Sequence, residues 1–336
     1  EDTELELAAS EPEAPPPPAP GSSMRRMKQM DFSFDLADET FETAPEAEEE
    51  YYEASEAPDR AVRVRAVSGN ILTGDHSFDA LDNSPLYLSS NDDREGWTLL
   101  NDASGNPPPI LVQVYRYREP ILNVAVPPGA YLRFVPFYGA ALEPVIGFED
   151  ETLDEFIQYR RRGLLKEARS MALAIRAEEL LYQKIRNTTG AVVGAYALLA
   201  FGEIERLHEW TANLMNWFEE LPDGLTIRGE HLARLGNHEE ALECFARLFE
   251  RGLPLFSDGI NYGLRRLRYY RSAGRETFSS EQFERVSETL QKLEEYTPFL
   301  NLNQPTATFP GIDPARPDRS IPDDPDITDD TWTTLE

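Results

Sequence analysis

This 336-residue chain is poor in the residues that usually carry catalysis or metal binding. It has a single cysteine, Cys244, so an intramolecular disulfide is excluded. No cluster of His, Cys, Asp and Glu has the spacing of a metal site, and the pair Gly190 and Gly194 lacks the preceding strand and the lysine of a phosphate-binding loop. We therefore expect no metal and no cofactor.

Long apolar runs are also missing, because no stretch approaches the roughly 20 residues that cross a bilayer. A single cysteine fits a reducing compartment, and 28 arginines against four lysines fit either a salt-adapted cytosol or a GC-rich genome. We expect a cytoplasmic bacterial protein without a membrane span. Because the chain begins at Glu1 and carries no leader, we expect a processed product or a piece of a longer polypeptide.

Acidic residues are concentrated at the two ends of the chain. Residues 1–60 and 303–336 carry −14 and −6 of the formal net charge of −29, together with many prolines. Such a composition is typical of segments that bury little apolar surface, and both ends are predicted to be disordered. Their charge disfavours nucleic acid as a partner, because phosphate contacts require positive charge.

Residues 61–148 have the pattern of a small all-β domain. Val62 and Val64 alternate with Arg63 and Arg65, which predicts a strand with one wet face. Further runs of branched and aromatic residues, such as 110–115, are separated by turn residues and bring the count to six or seven strands. A sandwich or a partial barrel is the expected packing.

The remainder, 149–302, shows helical periodicity interrupted by glycines. Gly202 and Gly236 stand 34 residues apart, and each closes one amphipathic helix and opens another. Gly163 and Gly274 continue this spacing irregularly on either side. About eight helices are expected between residues 151 and 297, arranged as helix-turn-helix repeats.

The segment 225–254 resembles a tetratricopeptide repeat. In that family small residues stand where the two helices cross, and here these are Gly229 and Ala241. Bulky residues fill the surrounding gaps and a proline follows the second helix; the matching positions are Leu232, Phe245, Leu248 and Pro254. The resemblance implies a stack of paired helices that binds a peptide or a protein.

The predicted fold class is therefore multidomain α and β. A disordered acidic N-terminus (1–60) precedes a small all-β sandwich or barrel-like domain (61–148). An all-α, tetratricopeptide-like array (149–302) and a disordered acidic tail (303–336) follow.

Several residues are candidates for binding a partner. If the repeat geometry holds, first-helix residues line a concave face that accepts an acidic, extended peptide; these are Arg160, Arg161, Tyr196, Glu230, Arg234, Arg268 and Arg271. The chain's own acidic tail, Asp323 to Asp330 with Trp332, is a tethered candidate for this groove. The alternative, which involves no ligand, is that these arginines are solvated or paired with neighbouring glutamates.

A second candidate lies in the N-terminal segment. Methionines at three-residue spacing, followed by two phenylalanines, could form one amphipathic helix on a partner; the motif is Met24, Met27, Met30, Phe32 and Phe34. An incidental apolar stretch in a linker is the alternative.

Three classes of function remain open. The first is a noncatalytic protein-protein interaction module, and this is the expected one. The second is a regulatory C-terminal portion of a larger bacterial enzyme or signalling protein, of the caspase-like or von Willebrand A type. The third is an independent enzyme using His76 or Cys244, although a buried structural role explains Cys244 better.

Overall fold

A computed structural model of the protein describes residues 61–91, 96–103, 108–134, 144–161, 170, 177–273, 278–321 and 330–335. These residues belong to one compact unit, Glu56–Glu336. The predicted N-terminal disorder, the Met24–Phe34 motif, Gly163 and Gly274 lie outside the described residues.

The first sheet, sheet A, contains four strands from the predicted β region. They are β1 (Val62–Asn70), β2 (Asp75–Asp79), β5 (Ile110–Tyr115) and β6 (Leu122–Val126). Two further strands, β9 (Thr308–Pro310) and β10 (Thr333–Leu335), come from the C-terminal segment. The order is β10-β1-β5-β6-β9 with β2 also paired to β1, and the pairings are antiparallel.

The second sheet, sheet B, has the order β3-β4-β7-β8 and is also antiparallel. Its strands are β3 (Leu86–Asn91), β4 (Gly96–Asn101), β7 (Ala130–Phe134) and β8 (Val145–Phe148). Alternate residues of both sheets, such as Val64 in β1 and Leu132 in β7, join one apolar core. The β-rich region predicted for residues 61–148 is confirmed, with two antiparallel sheets.

Sheet A is buried on its second face as well. Val67, Leu111 and Ala125 lie on that face, in a core cluster that also contains residues of the helical region. The first core likewise extends from the sheets into the helices, where it includes Phe156 and Leu198. Strands and helices therefore contribute to both apolar cores.

The C-terminal segment differs from the prediction of a disordered tail. Ala307 and Phe309 are buried, and β9 and β10 extend sheet A at β6 and β1. A row of polar side chains at one register of sheet A holds this segment: Arg65 donates to Gln113, and Gln113 donates to Asn123. The two amides also donate to backbone carbonyl oxygens of residues 309–312. Because buried amides must be satisfied, this row fixes the segment despite its acidic composition.

Trp332 also lies on sheet A. Its ring packs 4.3 Å from the Arg65 guanidinium carbon and 6.4 Å from the ring of Tyr115. The idea that Trp332 folds back on the arginine-bearing helices is thus wrong for this residue. Residues 322–329 lie outside the described part.

The predicted helical region is confirmed. Its α-helices are α1 (Glu151–Arg161), α2 (Ala177–Tyr182), α3 (Thr188–Phe201), α4 (Trp210–Trp217), α5 (Pro222–Arg234), α6 (His238–Ala246), α7 (Leu248–Arg251), α8 (Ser257–Ala273) and α9 (Ser280–Tyr296). Short 3-10 turns occur at Leu81–Asn83 and Ile204–Leu207. In the described residues no helix is both long enough and apolar enough to span a membrane.

Glycines set two of the turns between helices, as the 34-residue spacing predicts. Gly202 ends α3 with φ of 77°, and Gly236 lies between α5 and α6 with φ of 87°. Both conformations are left-handed and favour glycine. At the crossing of α5 and α6, a Cβ on Gly229 would lie 2.7 Å from the Phe245 ring, so the two helices approach closely only because this residue is glycine.

Candidate functional site

Tyr196, predicted to face a groove, lies instead in the core. Its hydroxyl donates to Asp223 Oδ1 at 2.7 Å, and both side chains are buried. The Asp223 carboxylate also accepts from the backbone N–H groups of Leu255 and Phe256. Burial raises the pKa of Asp223 from 3.8 to about 6, against these hydrogen bonds, which lower it. This pair ties α3 and α5 to the connection that precedes α8.

Glu230 and Arg234 do not form an open peptide groove either. Glu230 is buried and accepts from both Arg234 and Arg266. Arg234 additionally donates to the backbone oxygen of Leu199 at 2.6 Å. A buried carboxylate needs such partners, so the three side chains form a structural ion-pair network.

The other predicted arginines have separate locations. Arg268 and Arg271 of α8 both pair with Glu294 of α9 on the exposed surface, at 3.0 and 3.4 Å. Arg160 and Arg161 end α1, and their side chains lie outside the described part. Arg234, Arg268 and Arg271 are thus paired with neighbouring glutamates, as the alternative interpretation of the sequence states.

The two candidate catalytic residues, Cys244 and His76, are poorly placed for catalysis, and so is His231. Cys244 is buried, its sulfur lies 3.9 Å from the sulfur of Met215, and burial raises the pKa of the thiol to about 11. His231 is hydrogen-bonded through Nδ1 to Thr211. His76 lies beside Asp313, with 3.6 Å between Nε2 and Oδ1, a contact with the C-terminal segment that sequence spacing could not indicate. A thiol held so far towards its neutral form is a weak nucleophile near neutral pH.

Sequence reasoning missed a group of exposed aromatic residues around one buried lysine. Tyr182 at the end of α2 is 66% exposed and Trp217 at the end of α4 is 55% exposed. The Tyr182 ring contacts the ring of Trp210, which begins α4. Lys184, in the turn after α2, is only 3% exposed, and its Nζ lies 5.9 Å from the Trp210 ring centroid and 5.2 Å from that of Trp217. We call Tyr182, Lys184, Trp210 and Trp217 the aromatic face.

Lys184 lacks the ion pairs that two arginines of this region make. Arg206 pairs with Glu178 and Arg228 pairs with Glu209. For Lys184 no ion pair is present among the described residues, and burial alone lowers the pKa of its ammonium group. The two tryptophan rings supply cation-π contacts that partly replace the lost water.

A strained residue lies at the edge of the aromatic face. His208 has φ of 46°, a conformation that residues other than glycine rarely adopt. Its ring lies 4.7 Å from the Trp210 ring, and its Nε2 is 2.8 Å from Glu178 Oε1. These hydrogen bonds from His208 and Arg206 lower the pKa of Glu178. Strain of this kind persists where surrounding contacts hold it, and it is concentrated at functional sites.

A wide depression adjoins the aromatic face. It has a volume of about 650 Å³ and is lined by Trp210, His208, Ile204, Leu235 and acidic residues including Glu209. Leu235 is an exposed large hydrophobic residue there. Trp210 and Trp217 stand seven residues apart on one helix, and this repeat is the sequence signal that could have revealed the surface.

A smaller cavity of about 220 Å³ lies elsewhere, between α1, α3, the start of α8 and residues 302–305. Tyr196 and Phe256 form part of its wall, and Asp258 and Gln304 supply polar groups. Within the described ranges, no group of three or more His, Cys, Asp or Glu residues could hold a metal ion.

Comparison with known proteins gives a family for the helical region. The family described as the Y4kD C-terminal domain matches residues 155–329, just over half of the chain, and the match is not to a tetratricopeptide family. The chain is also similar to a protein named a probable protease from a Desulfuromonadales bacterium, with 36% identity over 93 residues. That segment is 27% of this chain and 11% of the relative. No solved structure matches.

One sequence-based expectation is contradicted by this similarity. The chain was expected not to be an enzyme, because its sequence carries no catalytic constellation. A relative named a probable protease overturns that expectation. Sparse catalytic residues in one stretch of sequence are a weak guide, since a protease needs only a few reacting side chains.

Proposed function

This chain belongs to the family of Y4kD C-terminal domains. We propose, from its similarity to a protein named a probable protease, that it is part of a proteolytic enzyme. In this proposal the helical region holds a polypeptide through the aromatic face while cleavage takes place at a catalytic centre supplied by other parts of the enzyme. The proposal develops the regulatory portion of a larger enzyme that the sequence left open.

The similarity to a probable protease is the single observation that carries the proposal. The candidate catalytic side chains among the described residues lack the contacts that peptide bond cleavage needs. Burial raises the pKa of the Cys244 thiol, and its sulfur lies against the sulfur of Met215. The imidazole of His231 is engaged with Thr211. Neither side chain has the hydrogen-bonded nucleophile and base arrangement that peptide bond cleavage requires.

The aromatic face supports the polypeptide-binding part of the proposal. Exposed Tyr and Trp side chains cost free energy in water and are enriched where proteins bind one another. Beside them the depression of about 650 Å³ leaves room for further side chains. The close approach of α5 and α6 at Gly229 is in keeping with paired helices, and arrays of paired helices commonly present binding surfaces.

An acidic peptide in an arginine groove is less well supported as the mode of binding. Arg234 and Arg266 already neutralise Glu230, and Arg268 and Arg271 already neutralise Glu294. An acidic ligand would have to replace these internal ion pairs. The aromatic face requires no such exchange.

A proteolysis assay tests the proposal. The 336-residue chain and the complete product of its gene would each be incubated with casein, an unfolded polypeptide substrate, and with a short fluorogenic peptide. We expect cleavage by the complete product and none by the chain alone. In the complete product, Trp217→Ala should lower kcat/KM for casein by about tenfold, as loss of an aromatic anchor that a partner covers does, and leave the short peptide unaffected.

The control is Trp97→Phe, which alters a tryptophan of β4 outside the aromatic face. Cleavage by the chain alone would place the catalytic centre within it and refute the accessory role. If the complete product cleaves neither substrate, the protease proposal is wrong.

A further inference from the structure

We propose that the aromatic face binds the C-terminal residue of a polypeptide, with Lys184 pairing the terminal carboxylate and the exposed rings receiving an apolar side chain. This inference rests on the proposed function for its setting, and it names the group that the polypeptide presents.

Lys184 is a buried cation that could pair with the carboxylate of a ligand. Lys184 is 3% exposed, and no carboxylate of the described residues pairs with it. A buried ammonium group without a counter-ion is costly, and an arriving carboxylate would recover part of that cost. Nζ lies 5.2 Å from the ring of Trp217, which is 55% exposed, so a movement of this ring would let the carboxylate of a ligand reach the ammonium group.

The surrounding side chains specify what must accompany the carboxylate. Tyr182 and Trp217 are exposed, and Ile185, next to Lys184 in sequence, is 71% exposed. An apolar side chain covering these groups would remove their surface from water, at about 25 cal/mol per Å². The ligand therefore carries one carboxylate close to an apolar side chain.

Charges at the rim favour a chain terminus over an acidic tract. Glu178 and Glu209 lie near Trp210, where His208 and Arg228 already pair with them. Additional carboxylates on a ligand would have to compete for Arg206 and Arg228, which already pair with Glu178 and Glu209. A C-terminal residue carries a single negative charge next to its own side chain. The rest of the polypeptide continues from it in one direction only.

Peptide titrations of the full chain test the inference. The probes are N-acetyl-Ala-Ala-Leu with a free carboxylate, the same peptide as its C-terminal amide, and N-acetyl-Ala-Asp-Leu amide, which carries only a side-chain carboxylate. Affinities are measured by calorimetry. The chain has four lysines, so the Lys184 side-chain signal can be followed by NMR in protein labelled with ¹³C-lysine.

We expect the free acid to bind at least about tenfold more tightly than either amide, the range of a charge-assisted hydrogen bond. Its binding should shift the Lys184 signal. Lys184→Met keeps the apolar stem and should abolish the preference for the acid, whereas Lys184→Arg should retain it. The control Lys292→Met, which removes an exposed pair with Glu295, should leave the preference unchanged.

Equal affinity for the acid and its amide, or no binding of either, would overturn the inference. So would an acid preference that survives in Lys184→Met, or equal binding of the side-chain acid. The titrations involve no cleavage, so their failure is distinguishable from failure of the protease proposal, which the proteolysis assay decides.

Discussion

Asp223 shows how a single residue can position a segment far from it in sequence. Its carboxylate is fully buried, and it accepts from the Tyr196 hydroxyl and from two backbone N–H groups of the connection before α8. A Cβ on Gly259 would lie 2.4 Å from the Tyr196 hydroxyl, so the same segment needs a glycine to approach this pair. The arrangement couples local geometry to the protonation of one carboxyl group.

The stability of the protein should therefore depend on pH through Asp223. Its folded-state pKa, about 6, is raised above the unfolded value of 3.8. The stabilisation is thus fully present below pH 3.8 and is lost as pH rises through about 6. The difference corresponds to roughly 3 kcal/mol, of which about 1 kcal/mol should be lost between pH 5 and pH 7.5.

Urea unfolding of the wild type and Asp223→Asn at these two pH values measures this loss. The variant has a constant penalty, because an amide cannot accept all three hydrogen bonds, but it lacks the pH-dependent part. The exposed Asp82→Asn serves as the control and should follow the wild type. Parallel pH profiles for the wild type and Asp223→Asn would contradict this assignment.

Lys184 illustrates what sequence could not reveal at the residue scale. One of four lysines, it lies in a turn, and nothing local marks it as buried. Its environment is created by Trp210 and Trp217, which follow later in the chain. The buried character of Cys244, by contrast, followed from its place on a packing helix and agrees with the structure.

At the scale of elements, the crossing of α5 and α6 depends on the absence of one side chain. The Phe245 ring is buried and leaves no room for a Cβ at Gly229. Gly263 in α8 is different, because a Cβ there would make ordinary contacts of 3.5 Å with Leu248 and Leu293. Gly229 and Gly263 both lie within helices and differ in the space around them, so alanine substitutions at the two positions can be compared directly.

Gly229→Ala should lower the free energy of unfolding by about 1–3 kcal/mol, the usual cost of overpacking. Gly263→Ala should raise it by about 0.5–1 kcal/mol, because alanine restricts the unfolded chain and favours helix. Chemical denaturation of both variants measures these changes. Similar effects at the two positions would show that the α5–α6 crossing does not require glycine.

Periodicity in the sequence predicted the helices and strands, but it could not predict that the C-terminal segment pairs with sheet A. Turns at Gly202 and Gly236 were readable because left-handed backbone favours glycine locally. The segment's strands depend on Gln113 and Asn123, which lie in β5 and β6 at one shared register. Such a row of side chains forms only when the strands pair. The acidic composition of the C-terminal segment instead led to a prediction of disorder.

At the scale of the whole molecule, strands and helices share both cores. The predicted boundaries near residues 148 and 302 mark changes in sequence pattern, and they do not separate apolar cores. Val67 and Ala125, on sheet A, pack in the same cluster as Leu225 and Phe245 of the helices. The aromatic face is thus carried on a region that packs against both sheets, which suits the polypeptide-binding role proposed for it.

The central claim is that this protein holds polypeptide at the aromatic face. Hydrogen exchange of the 336-residue chain with and without casein tests it most directly. We predict that bound casein slows exchange of amides in residues 177–217, which carry Tyr182, Lys184, Trp210 and Trp217. Slowed exchange confined to α8 and α9, where Arg268 and Arg271 pair with Glu294, or no change anywhere, would contradict the account.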